Sequence, residues 1–460
     1  MRTKGTGSVF QRCEARLGCP AMVAGPPHPR TGNPTRVRPA HRCKGMWVAV
    51  VELPMRGDER QRKTIVRAKK ADAIRALRDA RDQLDRVGDL SGTTPTLNAW
   101  IDEWWAKYAP EHIKVTQWPK YRTYFELYIK PPLGKKRLDR IDVAAIEQMH
   151  SYILNPPPAG LGLARTTAGG AHRILSSVLG YAVTREKIHR NVARIAKAPK
   201  VGKTLDRAHL GAPDARRVMA THDPGDGTVP QILAMLMTAF FIGPRPAELV
   251  GLTRDSIDVD SETITFSWQL QRIQPDHGCG DPSPAGEYQC GRRKAGYCPQ
   301  KVTVIPEHTE ARHVEGTLWL VRPKTEASWR RLPMPPPLTA MFRIFLTDLE
   351  PGIEGLVFTR PRGGKGKGAA MGRPISLEDW NKKWSSALAA AGIEYDPQPT
   401  PYSARHTCNT ILMELEVPAD VRILILGQAA VEVNERVYTH TSDPRVREAL
   451  ALMGQHMLGA

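Results

Sequence analysis

Between residues 96 and 200, apolar positions recur at three- and four-residue spacing, which predicts an all-helical region. Leu97, Ile101, Trp104 and Trp105 fall on one helical face, and Tyr121, Tyr124, Phe125 and Tyr128 on another. A third helix runs from Ile141 to Leu154. Asn155-Pro156-Pro157-Pro158 ends it, because proline lacks the helical donor and disfavours a helical predecessor. A fourth, Thr166 to Thr184, turns Ile174, Leu175, Val178, Leu179 and Ala182 inward.

Upstream the pattern differs. Ser8 to Arg12, Met46 to Glu52 and Lys63 to Arg67 are β-branched or aromatic runs that predict three short strands. Ala71 to Val87 then reads as a helix with Ile74, Leu77, Leu84 and Val87 on one side. A Pro/Gly-rich insertion from about Gly18 to Arg42 carries no period that assigns it an element. Ser91-Gly92-Thr93-Thr94-Pro95 and Ala198 to Lys203 read as linkers. From Leu205 onward the pattern is mixed. Helices are expected at Ala212–Thr221, Val229–Ile242, Leu338–Leu349, Leu377–Ala391, Ser403–Leu415 and Pro418–Leu426. Strands are expected at Ser261–Trp268, Glu315–Val321 and Trp329–Met334.

The chain has 460 residues, more than one core normally accommodates. Its 66 Lys and Arg against 47 Asp and Glu leave a net charge of +19, which favours a polyanionic partner, since clustered cations release counterions on binding phosphates. Residues 1–90 hold 20 basic against 9 acidic side chains, so much of the excess belongs to a separate N-terminal module. No run approaches the ~18 apolar residues of a membrane span. The segment Met1 to Gly7 lacks the apolar core of a signal peptide, so a cytosolic protein is expected. In that compartment the seven cysteines read as thiols or metal ligands rather than disulfides.

Four separated positions carry phosphoryl chemistry. Arg245 follows an apolar helix and a Gly-Pro break, with Glu248 one helical turn on; it reads either as a helix cap or as a presented site residue. Lys324 lies in Pro323-Lys324-Thr325 between two strand-like runs, where a hairpin tip allows it to swing into a substrate or simply to be solvated. Arg405 follows Pro401, which suits a helix N-terminus, and His406 beside it reads as a packed or hydrogen-bonded histidine rather than a catalyst. Tyr438 offers a phenol near the carboxyl end. A guanidinium fork matches two phosphate oxygens, a lysine can protonate a leaving oxygen, and a tyrosine oxygen can become bonded to phosphorus.

The ordered set Gly243-Pro244-Arg245-Pro246-Ala247-Glu248-Leu249, Lys324-Thr325, Ser403-Ala404-Arg405-His406-Thr407, Leu426-Gly427 and Val437-Tyr438-Thr439-His440 resembles the tyrosine recombinases, specifically the actinobacterial phage-type integrases. The resemblance implies a multidomain fold. Residues 1–90 would be an α+β arm-binding domain, a three-stranded sheet plus helix. Residues 96–200 would be an all-α, SAM-like core-binding domain, and residues 205–460 a mainly helical catalytic domain with a small β-sheet. It also implies an enzyme that integrates or excises phage or mobile-element DNA as a homotetramer on core-type and arm-type sites, in the bacterial host cytoplasm, with accessory bending or directionality proteins. By position, Arg245 and Arg405 would clamp the scissile phosphate, Lys324 would protonate the leaving 5′ oxygen, and Tyr438 would attack to leave a 3′-phosphotyrosine. No catalytic cofactor is implied, because fixed cations stabilise the transition state and the phosphotyrosine retains the bond energy. Two positions depart from the family. Tyr402 stands where histidine is usual. Gln428 stands where histidine or tryptophan is usual, one residue further than normal from the nucleophile. A glutamine amide and a phenol can each donate a hydrogen bond to a phosphate oxygen.

Other readings stay open: a catalytically impaired DNA-binding protein of the same fold, or a type IB topoisomerase-like enzyme, which the basic N-terminal module disfavours. His277, Cys279, Cys290 and Cys298 lie in a Gly- and Pro-containing insertion, residues 274–300, that has no apolar core of its own. They match the Cys₃His set of structural zinc, the alternative being a loop of reduced thiols. Cys13, Cys19, His41 and Cys43 form a looser set around the N-terminal insertion. Cys408 is alone on a helix and reads as core. Pro444 to Leu458 predicts an amphipathic helix with Val446, Leu450, Met453 and Met457 on one side, docked on a neighbouring subunit or on its own domain.

Overall fold

β-branched alternation builds the N-terminal sheet. Strands β1 (Ser8–Gln11), β4 (Trp47–Glu52) and β5 (Arg62–Arg67) pair antiparallel in the order β1-β4-β5, and helix α1 (Lys70–Val87) packs on them. The computed structural model describes residues 8–12, 23–27, 29, 31–37, 45–52, 62–87, 94–200, 202, 210–280, 283, 287–323, 329–347, 349–360, 372–428 and 443–459. Val51 and Ala49 meet Ala73, Leu77 and Ala80, so the inward stripe of α1 runs through Ala73, with Ile74 only half-buried. The unassigned insertion holds a hairpin of β2 (Val23–Gly25) and β3 (Thr35–Val37). Strand β5 keeps Arg62, Lys63 and Arg67 exposed.

The chain divides into two compact units, residues 1–112 with 120–202 and residues 113–119 with 203–460. Helices α2 (Leu97–Lys107), α3 (Ala109–His112), α4 (Trp118–Tyr124), α5 (Lys130–Leu133), α6 (Val143–Leu154) and α7 (Arg165–Thr184) follow the N-terminal sheet. Thr96 caps α2 by accepting from the Ala99 N–H at 3.3 Å, and Asp142 caps α6 by accepting from Ala145 at 2.8 Å. Leu97, Trp100, Ile101 and Trp104 form the buried stripe of α2; Trp105 is half-buried at its edge. Each such side chain stabilises the bundle by about 1.5–3 kcal/mol. Between α6 and α7 the buried rings of His150 and His172 share a hydrogen bond at 3.1 Å. Burial, then the neighbouring imidazole, lowers His150 to about 4, so the pair is neutral at pH 7.

The second unit contains α8 (Ala212–Thr221), α9 (Gln231–Ile242), α10 (Pro246–Val250), β6 (Ile257–Asp258), β7 (Thr263–Phe266), β8 (Gln269–Arg272), β9 (Ala311–Glu315), β10 (Leu318–Val321), β11 (Arg330–Pro333), α11 (Pro336–Phe345), β12 (Thr359–Arg360), β13 (Arg373–Pro374), α12 (Leu377–Ala390), α13 (Tyr402–Glu414), α14 (Ala419–Leu426) and α15 (Pro444–Leu458). Helix α9 is apolar around its circumference and buries Leu236, Phe240 and Phe241 at the centre, with α8, α11, α13 and α15 packed about it. Helix α15 lies in this same core: Val446, Leu450, Met453 and Met457 are buried, and the Arg216 guanidinium donates to the His456 carbonyl at 2.8 Å.

Two sequence expectations are corrected here. The run Glu315–Val321 is not one strand: it turns at Gly316, where φ is 59°, and its two arms pair as β9 and β10. Nor do the runs flanking Lys324 form one hairpin. β10 is the central strand of β8-β10-β9, with both edges occupied, whereas β11 pairs with β7 in the sheet β11-β7-β6.

Candidate active site

Helix α9 ends at Gly243 and α14 at Gly427, both left-handed, with φ of 62° and 59°. At Gly243 a Cβ would lie 2.8 Å from Leu426 Cδ2 and 3.0 Å from Cys408 Cβ, so glycine is needed for space as well as for the turn. The two helix C-termini thus meet beside α13. Each leaves carbonyls without helical partners, and these carry the negative end of the helix dipole.

Three arginines take those carbonyls. Arg330 Nε donates to Ile425 O at 2.9 Å, an Arg405 Nη donates to Leu426 O, and Arg245 Nη2 donates to Gly427 O at 2.7 Å. Arg405 Nη1 also donates to Gly243 O at 2.9 Å, which joins the ends of α9 and α14 through one side chain. Glu248 lies behind the cluster. Its carboxylate accepts from Arg245 Nη1 at 2.7 Å, from the Arg245 backbone N–H at 2.9 Å, and from Arg330 Nη2 at 3.1 Å. Three guanidiniums against one carboxylate leave net positive charge at the helix ends. Burial pushes the Glu248 carboxyl up, but Arg330 and Arg245 outweigh it and hold the group below its ordinary range. For Arg405, burial comes first and the two neighbouring arginines add to it, lowering the guanidinium to about 10, still charged at pH 7.

The side chains differ in access. Arg245 keeps 28% of its side chain exposed, whereas the Glu248 and Arg330 side chains are fully buried. Arg405 is buried, and its Nε has no hydrogen-bond partner among the described residues. Tyr402 opens α13 half-exposed, its ring edge-on to His406 with centroids 5.1 Å apart. His406 is itself exposed. Gln428 is exposed; its backbone N–H donates to Ile423 O at 3.1 Å, so it follows the carbonyls that the arginines occupy. Cys408 is core, and burial pushes its thiol up to about 12. Lys324 and Tyr438 lie outside the described residues, as do Cys13, Cys19, His41 and Cys43.

Arg330 was not singled out by sequence reading. The signal was alternation along β11: Leu332 is inward, so residue 330 shares its face. A charged residue there is buried against Phe266, its guanidinium 4.6 Å from the ring.

The His/Cys set of the insertion does come together. One ligand atom from each of His277, Cys279, Cys290 and Cys298 lies within 4.8 Å of the others. Burial pushes the Cys298 thiol up, but the Gln300 amide and then His277 and the other two cysteines pull it down to about 7.

A helical domain is followed by a mainly helical unit in which arginines from distant segments are drawn to one helix end. The family "Phage integrase, N-terminal SAM-like domain" matches residues 96–154. An integrase of Saccharopolyspora erythraea is 26% identical over 374 residues, spanning 76% of this chain and 79% of that protein. A XerC-like tyrosine recombinase of Caldanaerobacter subterraneus is 22% identical over 370 residues, spanning 75% of this chain and 79% of that protein. Among solved structures, the integrase of transposon Tn1549 in complex with transposon right end DNA matches with a TM-score of 0.52 and 15% identity, over 80% of this chain and 100% of that chain. The chain is thus similar to tyrosine recombinases and integrases over about three quarters of its length.

Proposed function

We propose that this recombinase integrates or excises phage or mobile-element DNA by cutting and rejoining strands through a 3′-phosphotyrosine. The carrying observation is the trio of guanidiniums at the C-terminal end of α14, immediately before Gln428 and the segment that bears Tyr438. Tyr438 Oη forms the new ester bond to phosphorus as the bond to the 5′ oxygen breaks. Lys324 delivers a proton to that oxygen, leaving a 5′-hydroxyl, while the phenolic proton passes to solvent or a nearby base. Arg245 and Arg405 neutralise the charge that accumulates on the non-bridging oxygens, and Tyr402 and Gln428 add hydrogen-bond donors. A 5′-hydroxyl from a second strand then reverses the step. One ester replaces another each time, so the chemistry draws on side chains alone, with no nucleotide or metal.

Tyrosine attack is tested by incubating the full chain with nicked suicide duplexes carrying the attachment site of its own element. A covalent protein–DNA adduct on Tyr438 is expected; an adduct mapped to another residue, or none, rejects the assignment.

Residues 1–90 are assigned to arm-type DNA, residues 96–200 to the core-type site and residues 205–460 to catalysis, with four copies acting on two sites and accessory bending proteins assisting. The exposed Arg62, Lys63 and Arg67 on β5 support the first assignment. Deleting residues 1–90 should preserve core-site binding in a gel-shift assay and reduce recombination between full sites. Recombination equal to that of the intact chain would refute the arm-site role.

A further inference from the structure

We propose that His277, Cys279, Cys290 and Cys298 hold one structural zinc ion, and that this ion fixes the loop between Cys290 and Cys298 as a basic tip that contacts DNA phosphates. The inference rests on the recombinase reading and adds a contact outside the arginine cluster.

The metal part follows from geometry. Zinc–sulfur bonds of about 2.3 Å and a zinc–nitrogen bond of about 2.0 Å at tetrahedral angles place sulfur and nitrogen about 3.5 Å apart. His277 Nδ1 lies 3.4 Å from Cys290 Sγ and 3.8 Å from Cys279 Sγ. His277 Nε2 is buried with no hydrogen-bond partner among the described residues, and the ring is stacked on Tyr288 at 3.5 Å. Stacking holds the imidazole with Nδ1 turned towards two thiols, the orientation in which Nδ1 and the sulfurs can share one metal ion. Among the described residues from His277 to Gln300, no apolar side chain other than the cysteines is buried, so apolar packing cannot fix this segment. Its ends are nevertheless pressed together. Asp276 and Val302 exchange backbone hydrogen bonds at 2.8 and 3.0 Å, and a Cβ on Gly278 would lie 1.9 Å from Gln300 O. A four-ligand metal site explains how so polar a segment can be this closely folded.

The DNA part follows from charge. Gly291-Arg292-Arg293-Lys294-Ala295-Gly296-Tyr297 holds three consecutive cations and no acid, between two of the ligands. Arg292, Arg293 and Lys294 are exposed, and Tyr297 is 74% exposed. A short loop fixed at both ends by one ion presents these cations at little entropic cost, which suits a phosphate backbone.

The test uses the purified full chain. Elemental analysis should find zinc, and Cys298→Ser or Cys290→Ser should each lower the content by one equivalent per chain. Zinc-free parent protein, or variants that retain the parent's full content, would overturn the metal site. Should those variants fail to fold, cobalt exchanged into the parent supplies the second readout: thiolate-to-cobalt charge-transfer absorption supports the site, and its absence overturns it. Binding to a duplex of arbitrary sequence is then measured across salt concentrations. Replacing Arg292, Arg293 and Lys294 together by alanine should leave zinc content unchanged and make the log K against log salt slope shallower by about 2–3, near 0.9 for each phosphate that is no longer neutralised. An unchanged slope overturns the DNA contact. If the parent itself fails to bind duplex DNA, the recombinase reading fails instead, so the two failures are separable.

Discussion

Arg405→Ala should lower covalent trapping on a suicide substrate by about 10³- to 10⁵-fold, the range found when a transition-state arginine is removed from phosphoryl transfer. Affinity for the uncleaved site should change little by comparison, because groups that act on the transition state contribute less to ground-state binding. The structure gives reason for both halves. Arg405 is charged, desolvated and beside two further cations, so its field is little screened. Of its five N–H donors, one on each Nη meets a carbonyl, and Nε has no partner among the described residues, so donors remain for a phosphate. Those same carbonyl bonds tie α9 to α14, so alanine also weakens the fold. Arg405→Lys separates the effects: it keeps the charge but loses the planar fork, and should trap at an intermediate rate. A folded Arg405→Ala protein that traps at the parent rate would falsify the clamp.

The helical plan was legible because it rests on local spacing. Leu97, Ile101 and Trp104 mark a stripe that tertiary structure had no reason to override, whereas the caps Thr96 and Asp142 come from the structure. The tail helix Pro444–Leu458 was read to its limits for the same reason, although its own domain as the docking surface was not readable, since an apolar stripe does not name its partner. Strand pairing was less legible. Lys324 was expected at a hairpin tip because two strand-like runs flank it, but pairing is a non-local choice, and β10 and β11 took other partners. At the site, Arg245, Glu248 and Arg405 stood out through the order of motifs. Arg330 did not: alternation puts it on the face of Leu332, but an arginine in a strand is ordinarily read as exposed, and its buried partner Glu248 lies 82 residues away in sequence.

That buried arginine carries the largest expected effect on stability. Arg330→Met is close in volume, yet it leaves Glu248 with Arg245 alone inside a fully desolvated site. Removing one member of a buried ion pair typically costs about 3–5 kcal/mol, and because Arg245 still pairs with Glu248 the lower end of that range applies here. Chemical unfolding of the full chain, followed for the unit that contains residues 203–460, should show a loss of that size. The pH dependence gives a second reading. Glu248 is depressed in the folded state, so its contribution is present above the unfolded carboxyl value and disappears as pH falls through the folded value. Without Arg330, one of the two depressing charges is gone, the folded value rises, and acid unfolding should begin at higher pH. The added substitution Glu248→Gln removes the stranded charge, so the double variant should be less destabilised than the sum of the singles. Strict additivity would mean that Arg330 acts through its packing on Phe266 and its bond to Ile425 O, and not through Glu248. Trapping distinguishes a positioning role from a merely structural one: Arg330→Lys, which retains a charge for Glu248, should restore cleavage more fully than Arg330→Met at matched stability, because a fixed Glu248 is what aims the Arg245 guanidinium.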